Sequence, residues 1–369
     1  MIKLASPDIT AKEINAVVKV LKSGSLSLGP EIPKFEQAFA RYVGRKHAVA
    51  VSSGTAALHL ITRALGLNAG DEVITTPFSF AASLNCILYA GARPVLADIG
   101  TDTFNIDPAK VLKAITPRTK AILAVDVFGL PADYPALEKI CRERHLHLIE
   151  DSCEALGASC AGRRAGSFGI AATFGFYPNK QITTGEGGMA VCDDGALAGQ
   201  IRSLRNQGRA FMGGWMAHQV MGYNYRMSDI AAALGRVQLS RIGALLKRRE
   251  QLARRYRTLF QKDLPAFAVL PEPKGYKRSW FVFVILVPPV LKGEPRDRLI
   301  TELKKRGIQC AHYFPALHCQ PYVQKELGYK KGDFPAAENI ADRSLAIPFH
   351  HGLSLADQKK VVRTIKNLV

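Results

Sequence analysis

At 369 residues, with 47% hydrophobic and 22% charged side chains, the chain is long enough for two packed units and too apolar to be disordered. Its longest apolar run, 280–291, holds 12 residues and is broken by Pro288 and Pro289, short of the roughly 20 that cross a bilayer. A membrane span and a peptide hormone are both excluded. The formal charge of +19, from 50 Lys and Arg against 31 Asp and Glu, predicts attraction to anionic partners.

Met1 to Thr10 contains one lysine and an early Pro7, not the charged head and apolar stretch of an export signal, so the expected location is the cytoplasm. The seven cysteines are odd in number and form no C-x-x-C pair. They read as buried free thiols in a reducing compartment, with no metal site expected.

Ile14, Val17, Val18 and Leu21 mark an amphipathic helix, and Phe35 with Phe39 begin another; both are expected to pack on a sheet as a lead-in. From 46 to 191, strands predicted at 48–51, 72–75, 93–97, 121–125 and 146–149 alternate with helices at 55–65, 80–90, 108–115 and 133–144. This is the order of a wound α/β layer with right-handed parallel crossovers. A helical stretch follows from 228 to about 260. Pro265, Pro271, Pro273 and Gly275 then mark a linker. Beyond it come a strand at 280–287, a helix at 295–306 and a last helix at 354–368. The predicted organisation is a large domain over 1–240 and a smaller C-terminal α/β domain over 241–369.

Between Arg236 and Arg257 eight basic residues face Glu250 alone, which reads as a basic helix face. No helix-turn-helix, RNP-like strand or zinc frame accompanies it, so nucleic acid is not an expected partner. A small phosphorylated substrate, or a solvated face with no partner, accounts for it equally well.

Three segments carry chemistry. Ser52-Ser53-Gly54-Thr55 ends a strand and opens a helix, where free N–H groups and the helix dipole suit a phosphate, although the same residues cap helices that bind nothing. Leu148-Ile149-Glu150-Asp151 delivers a carboxylate at the carboxyl end of a buried strand, where it could hold a protonated pyridinium nitrogen or cap the next turn. Phe176 to Gly188 places Lys180 in a loop between apolar strands and before a glycine-rich turn, a setting that favours an amine able to form a Schiff base. In this order the three describe a pyridoxal phosphate site.

The chain resembles the DegT/DnrJ/EryC1/StrS aminotransferases over nearly its full length, through SSGTAAL (52–58), TPFSFAAS (76–83), EDSCEALGA (150–158), FYPNKQITTGEGG (176–188), GYNYRMSDIAAALGRVQL (222–239) and HYFPALHCQPY (312–322). The resemblance implies an α/β fold-type I transferase with a mostly parallel central sheet and pyridoxal 5'-phosphate as cofactor. It also implies a homodimer with shared active sites, and transfer of an amino group from an amino acid, by family analogy L-glutamate, to the ketone of a nucleotide-diphosphate sugar. Carried over by residue, Lys180 forms the Schiff base, Asp151 pairs with the ring nitrogen, Gly54 and Thr55 bind phosphate, and Phe80 stacks on the cofactor. Asn224 reaches the phosphate from the partner subunit, and Arg226, His312 and Tyr313 contact substrate. Two positions depart from the family pattern. Gly175 stands where a serine usually binds phosphate. Glu154 stands where an amide approaches the cofactor's phenolic oxygen, so its carboxyl is expected to be protonated, turned away or bridged by water. A sugar dehydratase of the same fold usually has His in place of the lysine, and Lys180 argues against it; a non-catalytic binding protein would not need the retained cofactor residues.

Overall fold

The computed structural model describes residues 1–209 and 217–369. Two helices lead in, α1 (Ala11–Ser23) and α2 (Glu31–Val43). The central sheet takes β1 (His47–Val51), β2 (Glu72–Thr75), β3 (Arg93–Leu96), β4 (Thr119–Val125) and β5 (His147–Asp151). After a short hairpin, β6 (Ser159–Cys160) and β7 (Arg163–Arg164), it is completed by β8 (Ala171–Gly175) and β9 (Gly188–Cys192). Helices α3 (Gly54–Ala64), α4 (Ala82–Tyr89), α5 (Pro108–Ala114) and α6 (Tyr134–Arg144) lie between the strands, and α7 (Gly195–Arg205) follows β9. Side chains of Ser53, Asp107, Asp133 and Asp194 cap four of these helices by accepting first-turn N–H groups, which is why their starts are legible in the sequence.

The strand order is β1-β9-β8-β5-β4-β2-β3. Strands β3, β2, β4, β5 and β8 pair in parallel, whereas β9 is antiparallel to both of its neighbours. The expected parallel crossovers therefore fail at β1, which pairs with β9 alone. The Lys180 loop folds β8 and β9 back on each other as a hairpin, and β1 binds the edge that β9 leaves open. The register sets Val51 and Gly175 opposite the same residue, Gly188. The turn after β1 and the end of β8 are thereby brought together.

The remaining chain forms α8 (Asp229–Ser240), α9 (Ile242–Asp263), β10 (Ala268–Val269), β11 (Tyr276–Lys277), β12 (Phe283–Leu286), α10 (Glu294–Lys305), α11 (Pro321–Leu327), α12 (Pro335–Arg343), β13 (Ser344–Ile347) and α13 (Leu355–Lys366). An antiparallel sheet, β10-β12-β13, is built from it, while β11 joins β6. The single helical stretch expected over 228–260 is two helices, because Arg241 has ψ near 0° and breaks the ladder. All seven cysteines are unpaired. Among the described residues no helix is long and apolar enough to cross a membrane.

Helix α2 packs on β1 of the sheet as expected, but α1 corrects the sequence reading. Helix α1 packs on α8 and not on the sheet, and its apolar stripe is exposed at Ile14 (55%), Val18 (38%) and Leu21 (52%). Its buried residues are Val20 and Glu13, and the Glu13 carboxylate accepts bonds from the Thr10 hydroxyl (2.5 Å) and N–H (2.8 Å), Arg241 (2.6 Å) and Gln238 (2.9 Å). Burial by itself would raise the Glu13 pKa, but these donors outweigh it and hold the carboxyl at about 2, against an ordinary 4.5. A depressed carboxylate stabilises the fold above its unfolded pKa and loses that contribution as pH falls. Glu13→Gln is thus expected to destabilise the protein by roughly 2 kcal/mol at pH 7. In urea titrations the gap from the parent should close between pH 4.5 and about 2; a gap independent of pH would show that packing, and not charge, sets the loss.

The basic run is likewise not a free face. Arg236 bonds to Glu31, Arg241 to Glu13 and Asp8, Arg248 to the carbonyls of His351 and Leu353, and Arg257 to the Leu270 carbonyl. Arg249 is buried. Lys247 and Arg254 stay exposed.

Candidate active site

The carboxyl ends of β1, β5 and β8 open on one cavity of about 490 Å³. After β1, Ser53 is extended and its hydroxyl accepts the Ala56 N–H at 3.0 Å. Gly54 and Thr55, at the start of α3, line the cavity, and first-turn N–H groups there have no intrahelical partner. Three glycines close this corner. A Cβ on Gly54 would lie 2.8 Å from Cys153 Sγ and 3.4 Å from Gly175 Cα, and one on Gly188 would lie 2.7 Å from the Gly54 nitrogen. At Gly54 and Gly188 only bare backbone lets the segments meet, whereas a Cβ on Gly175 would make ordinary contacts, the nearest at 3.4 Å to Cys153 Sγ. N–H groups at a helix N-terminus beside such a corner suit a phosphate.

Asp151, the last residue of β5, is 5% exposed. Ser83 on α4 donates its hydroxyl to Oδ2 at 2.7 Å and the Cys153 N–H reaches Oδ1 at 3.2 Å. The carboxylate is therefore fixed from two elements while still lining the cavity. Phe80, just before α4, is 65% exposed, and its ring also lines the cavity; a large bare aromatic there is a surface for a flat ring.

Lys180 projects into the same space. Its Nζ lies 3.5 Å from Glu154 Oε1 and 4.2 Å from the centroid of the Phe281 ring. Glu154 is turned toward the lysine, and its Oε2 accepts the Phe128 N–H at 2.9 Å. Phe128 holds φ +52°, a region costly for a bulky residue, and this bond to Glu154 helps to keep it there. Burial pushes the Glu154 carboxyl up, and the nearby Lys180 opposes the rise. Tyr313 accepts a hydrogen bond from Asn179 Nδ2 at 3.3 Å; burial, and then Glu154, push its hydroxyl upward.

Gly54, Thr55, Phe80, Asp151, Glu154, Lys180 and Tyr313 thus border one cavity. Three expected site residues are absent from its described lining. Asn224 is exposed, its backbone bridged to Asn206, and Arg226 donates to Asn206 Oδ1 at 3.0 Å. The His312 Nε2 bonds to the Ala341 carbonyl at 2.8 Å, so the ring is engaged away from the cavity, and its expected contact with substrate has no support within this chain. Ser83, Asn179 and Cys153 were not singled out in the sequence. For Ser83 the available signal was the i, i+4 pair with Ser79, whose hydroxyls lie 2.8 Å apart. Elsewhere, His318, Cys319 and Glu338 place their ligand-type atoms within 4.8 Å of one another, but His318 Nε2 is already bonded to Glu338 and its Nδ1 has no partner among the described residues.

The sequence pattern of the DegT/DnrJ/EryC1/StrS aminotransferase family matches residues 7–366. The chain is 40% identical to the spore coat polysaccharide biosynthesis protein SpsC of Bacillus subtilis (strain 168), over 98% of this chain and 96% of that protein. It is 37% identical to GDP-perosamine synthase of Caulobacter vibrioides, over 100% and 98% of the two chains. Among solved structures, Helicobacter pylori PseC, an aminotransferase involved in the biosynthesis of pseudoaminic acid, superposes with a TM-score of 0.94 at 30% identity, covering 100% of this chain and 98% of that one. With the cavity, its lysine and its glycine corner in place, the chain belongs to the DegT/DnrJ/EryC1/StrS aminotransferase family.

Proposed function

We propose that this cavity transfers an amino group from L-glutamate to the ketone of a nucleotide-diphosphate sugar, in a homodimer whose sites are shared between subunits. The observation that carries the reading is Lys180 Nζ standing 3.5 Å from Glu154 in a cavity that also holds Asp151 and the helix start at Gly54.

The residues present fit pyridoxal phosphate. The glycine corner and the α3 N–H groups take a dianion without side-chain obstruction, Asp151 offers a charge to a cationic ring nitrogen, and Phe80 offers a face. Bound there, the cofactor supplies a carbonyl on which the amino group is carried and a ring that accepts electrons. Asp151, kept in place by Ser83 and Cys153, holds a proton on that nitrogen. The Lys180 amine takes a proton from the substrate carbon and returns it at the other end of the transfer. Glu154, fixed by the Phe128 N–H, offers a carboxyl to the lysine whenever the amine carries its extra proton. In this reading Tyr313 contacts the sugar from within the cavity, and Arg226 together with Asn224 acts on the partner subunit's site. Neither Arg226 nor Asn224 is in the described lining of its own chain's cavity, which is the feature that supports sharing. GDP-perosamine synthase, by its name, makes a GDP-linked amino sugar, and the surplus of positive charge on this chain draws such anions.

The reading is checked by supplying L-glutamate with a panel of keto sugars, free and nucleotide-linked. The expected result is 2-oxoglutarate formed only with nucleotide-linked ketones. Equal rates with free sugars or simple keto acids would sink the assignment of substrate class.

A further inference from the structure

One cation of the α9 run lies where charge pairing does not account for it. Arg249 is 2% exposed, and desolvation is the influence that acts on it, pulling its pKa down to about 10. No carboxylate pairs with it among the described residues. Its guanidinium instead donates to three main-chain carbonyls: Lys180 from Nη2 at 2.9 Å, and Phe281 and Trp280 from Nη1 at 3.0 and 3.4 Å. The ring of Phe281 is the one whose centroid lies 4.2 Å from Lys180 Nζ. The same crossing segment is tied at Ser279 to Gly129 by a 2.8 Å backbone bond. Gln181, the residue after the lysine, donates to the carbonyls of Glu154 and Ser279.

One buried group thus holds both the main chain of Lys180 and the residue whose ring covers its amine. A hydrocarbon side chain would fill the volume without desolvating a charge, so stability is a poor reason for an unpaired cation here. A rigid fork that fixes separate carbonyls at once is something neither a hydrocarbon nor an ammonium can reproduce. We propose that Arg249 is a positioning residue, whose fork sets Lys180 and Phe281 relative to each other so that the amine is presented to the cofactor's carbonyl carbon. The inference rests on the reading of Lys180 as the reactive lysine.

The test uses the full chain loaded with pyridoxal phosphate. Arg249→Lys keeps the charge and stem without the fork; Arg249→Met keeps only the stem. Total bound cofactor is measured after denaturation. A parallel sample is reduced with borohydride, which fixes cofactor linked to Nζ as a secondary amine on the Lys180 peptide, read by mass spectrometry. For Arg249→Lys, total cofactor should stay within about twofold of the parent while the fixed fraction at Lys180 falls roughly tenfold or more. A fixed fraction equal to the parent's overturns the inference. So does a loss of total and fixed cofactor in equal proportion, or failure of Arg249→Lys to fold, since either marks a purely structural role; if only Arg249→Met fails to fold, Arg249→Lys decides. A parent chain that shows no label at Lys180 would instead overturn the reading of the lysine itself.

Discussion

Lys180→Ala is expected to abolish transamination, by at least about a thousandfold, because one side chain performing general acid–base work supplies ~10²–10⁴-fold and here the same amine also anchors the cofactor. The fold should survive. The lysine side chain is 14% exposed in the cavity, and its main-chain bonds, N–H to the Tyr177 carbonyl at 2.9 Å and carbonyl from Arg249 at 2.9 Å, do not depend on the side chain. The substitution leaves Glu154 without its cation, but Oε2 keeps the Phe128 N–H. The visible absorbance of the loaded protein should change together with the rate. The same variant probes the shared site. Asn224→Asp, which would set a carboxylate against the partner's bound phosphate, is expected to be strongly impaired, and mixing it with Lys180→Ala should restore part of the activity, since one site of each hybrid dimer contains neither lesion. If mass analysis shows subunit exchange and activity stays at zero, Asn224 does not act across the interface. Retained turnover in Lys180→Ala alone would remove the lysine from the chemistry.

Asp151→Asn is expected to lower kcat by roughly 10²-fold, the order of one charge-assisted hydrogen bond, while the cofactor still binds through the glycine corner. Volume hardly changes, and the new amide can be accommodated. Its oxygen can accept the Cys153 N–H, and Ser83, 2.8 Å from Ser79, can turn its own proton toward that hydroxyl and accept from the amide nitrogen instead. The loss should therefore appear in kcat and not in melting temperature. If kcat is unchanged, Asp151 serves only to tie β5 to α4, and the cofactor's ring nitrogen lies elsewhere.

Much of the machinery was legible along the chain. Ser53 before Gly54, Asp107 before Pro108 and Asp133 before a periodic helix announce their helices because a cap is a bond between residues two or three apart. Asp151 at the end of Leu148-Ile149-Glu150 and Lys180 between two apolar strands were equally readable, since strand ends are punctuated locally by the loss of apolar runs. The three segments together named the cofactor.

What the linear order did not disclose were the partners. Glu154 could have turned away from the lysine; the Phe128 N–H, delivered by the turn after β4, directs it toward Nζ. Helix α1 shows its apolar stripe to solvent because Glu13 finds Arg241, 228 positions along the chain, and burying that charge-assisted network decides which face turns inward. The cations of the α8–α9 run look alike in sequence, yet one pairs with Glu31, another with Glu13, and Arg249 ends beneath Lys180. Strand β1 meets β9 and not β2, which brings Gly188 against the turn at Gly54. Caps and periodicity are short-range and written in consecutive residues, whereas sheet register and the pairing of buried charges are contacts between distant segments, and the folded chain alone determines which of the many chemically permitted partners meet.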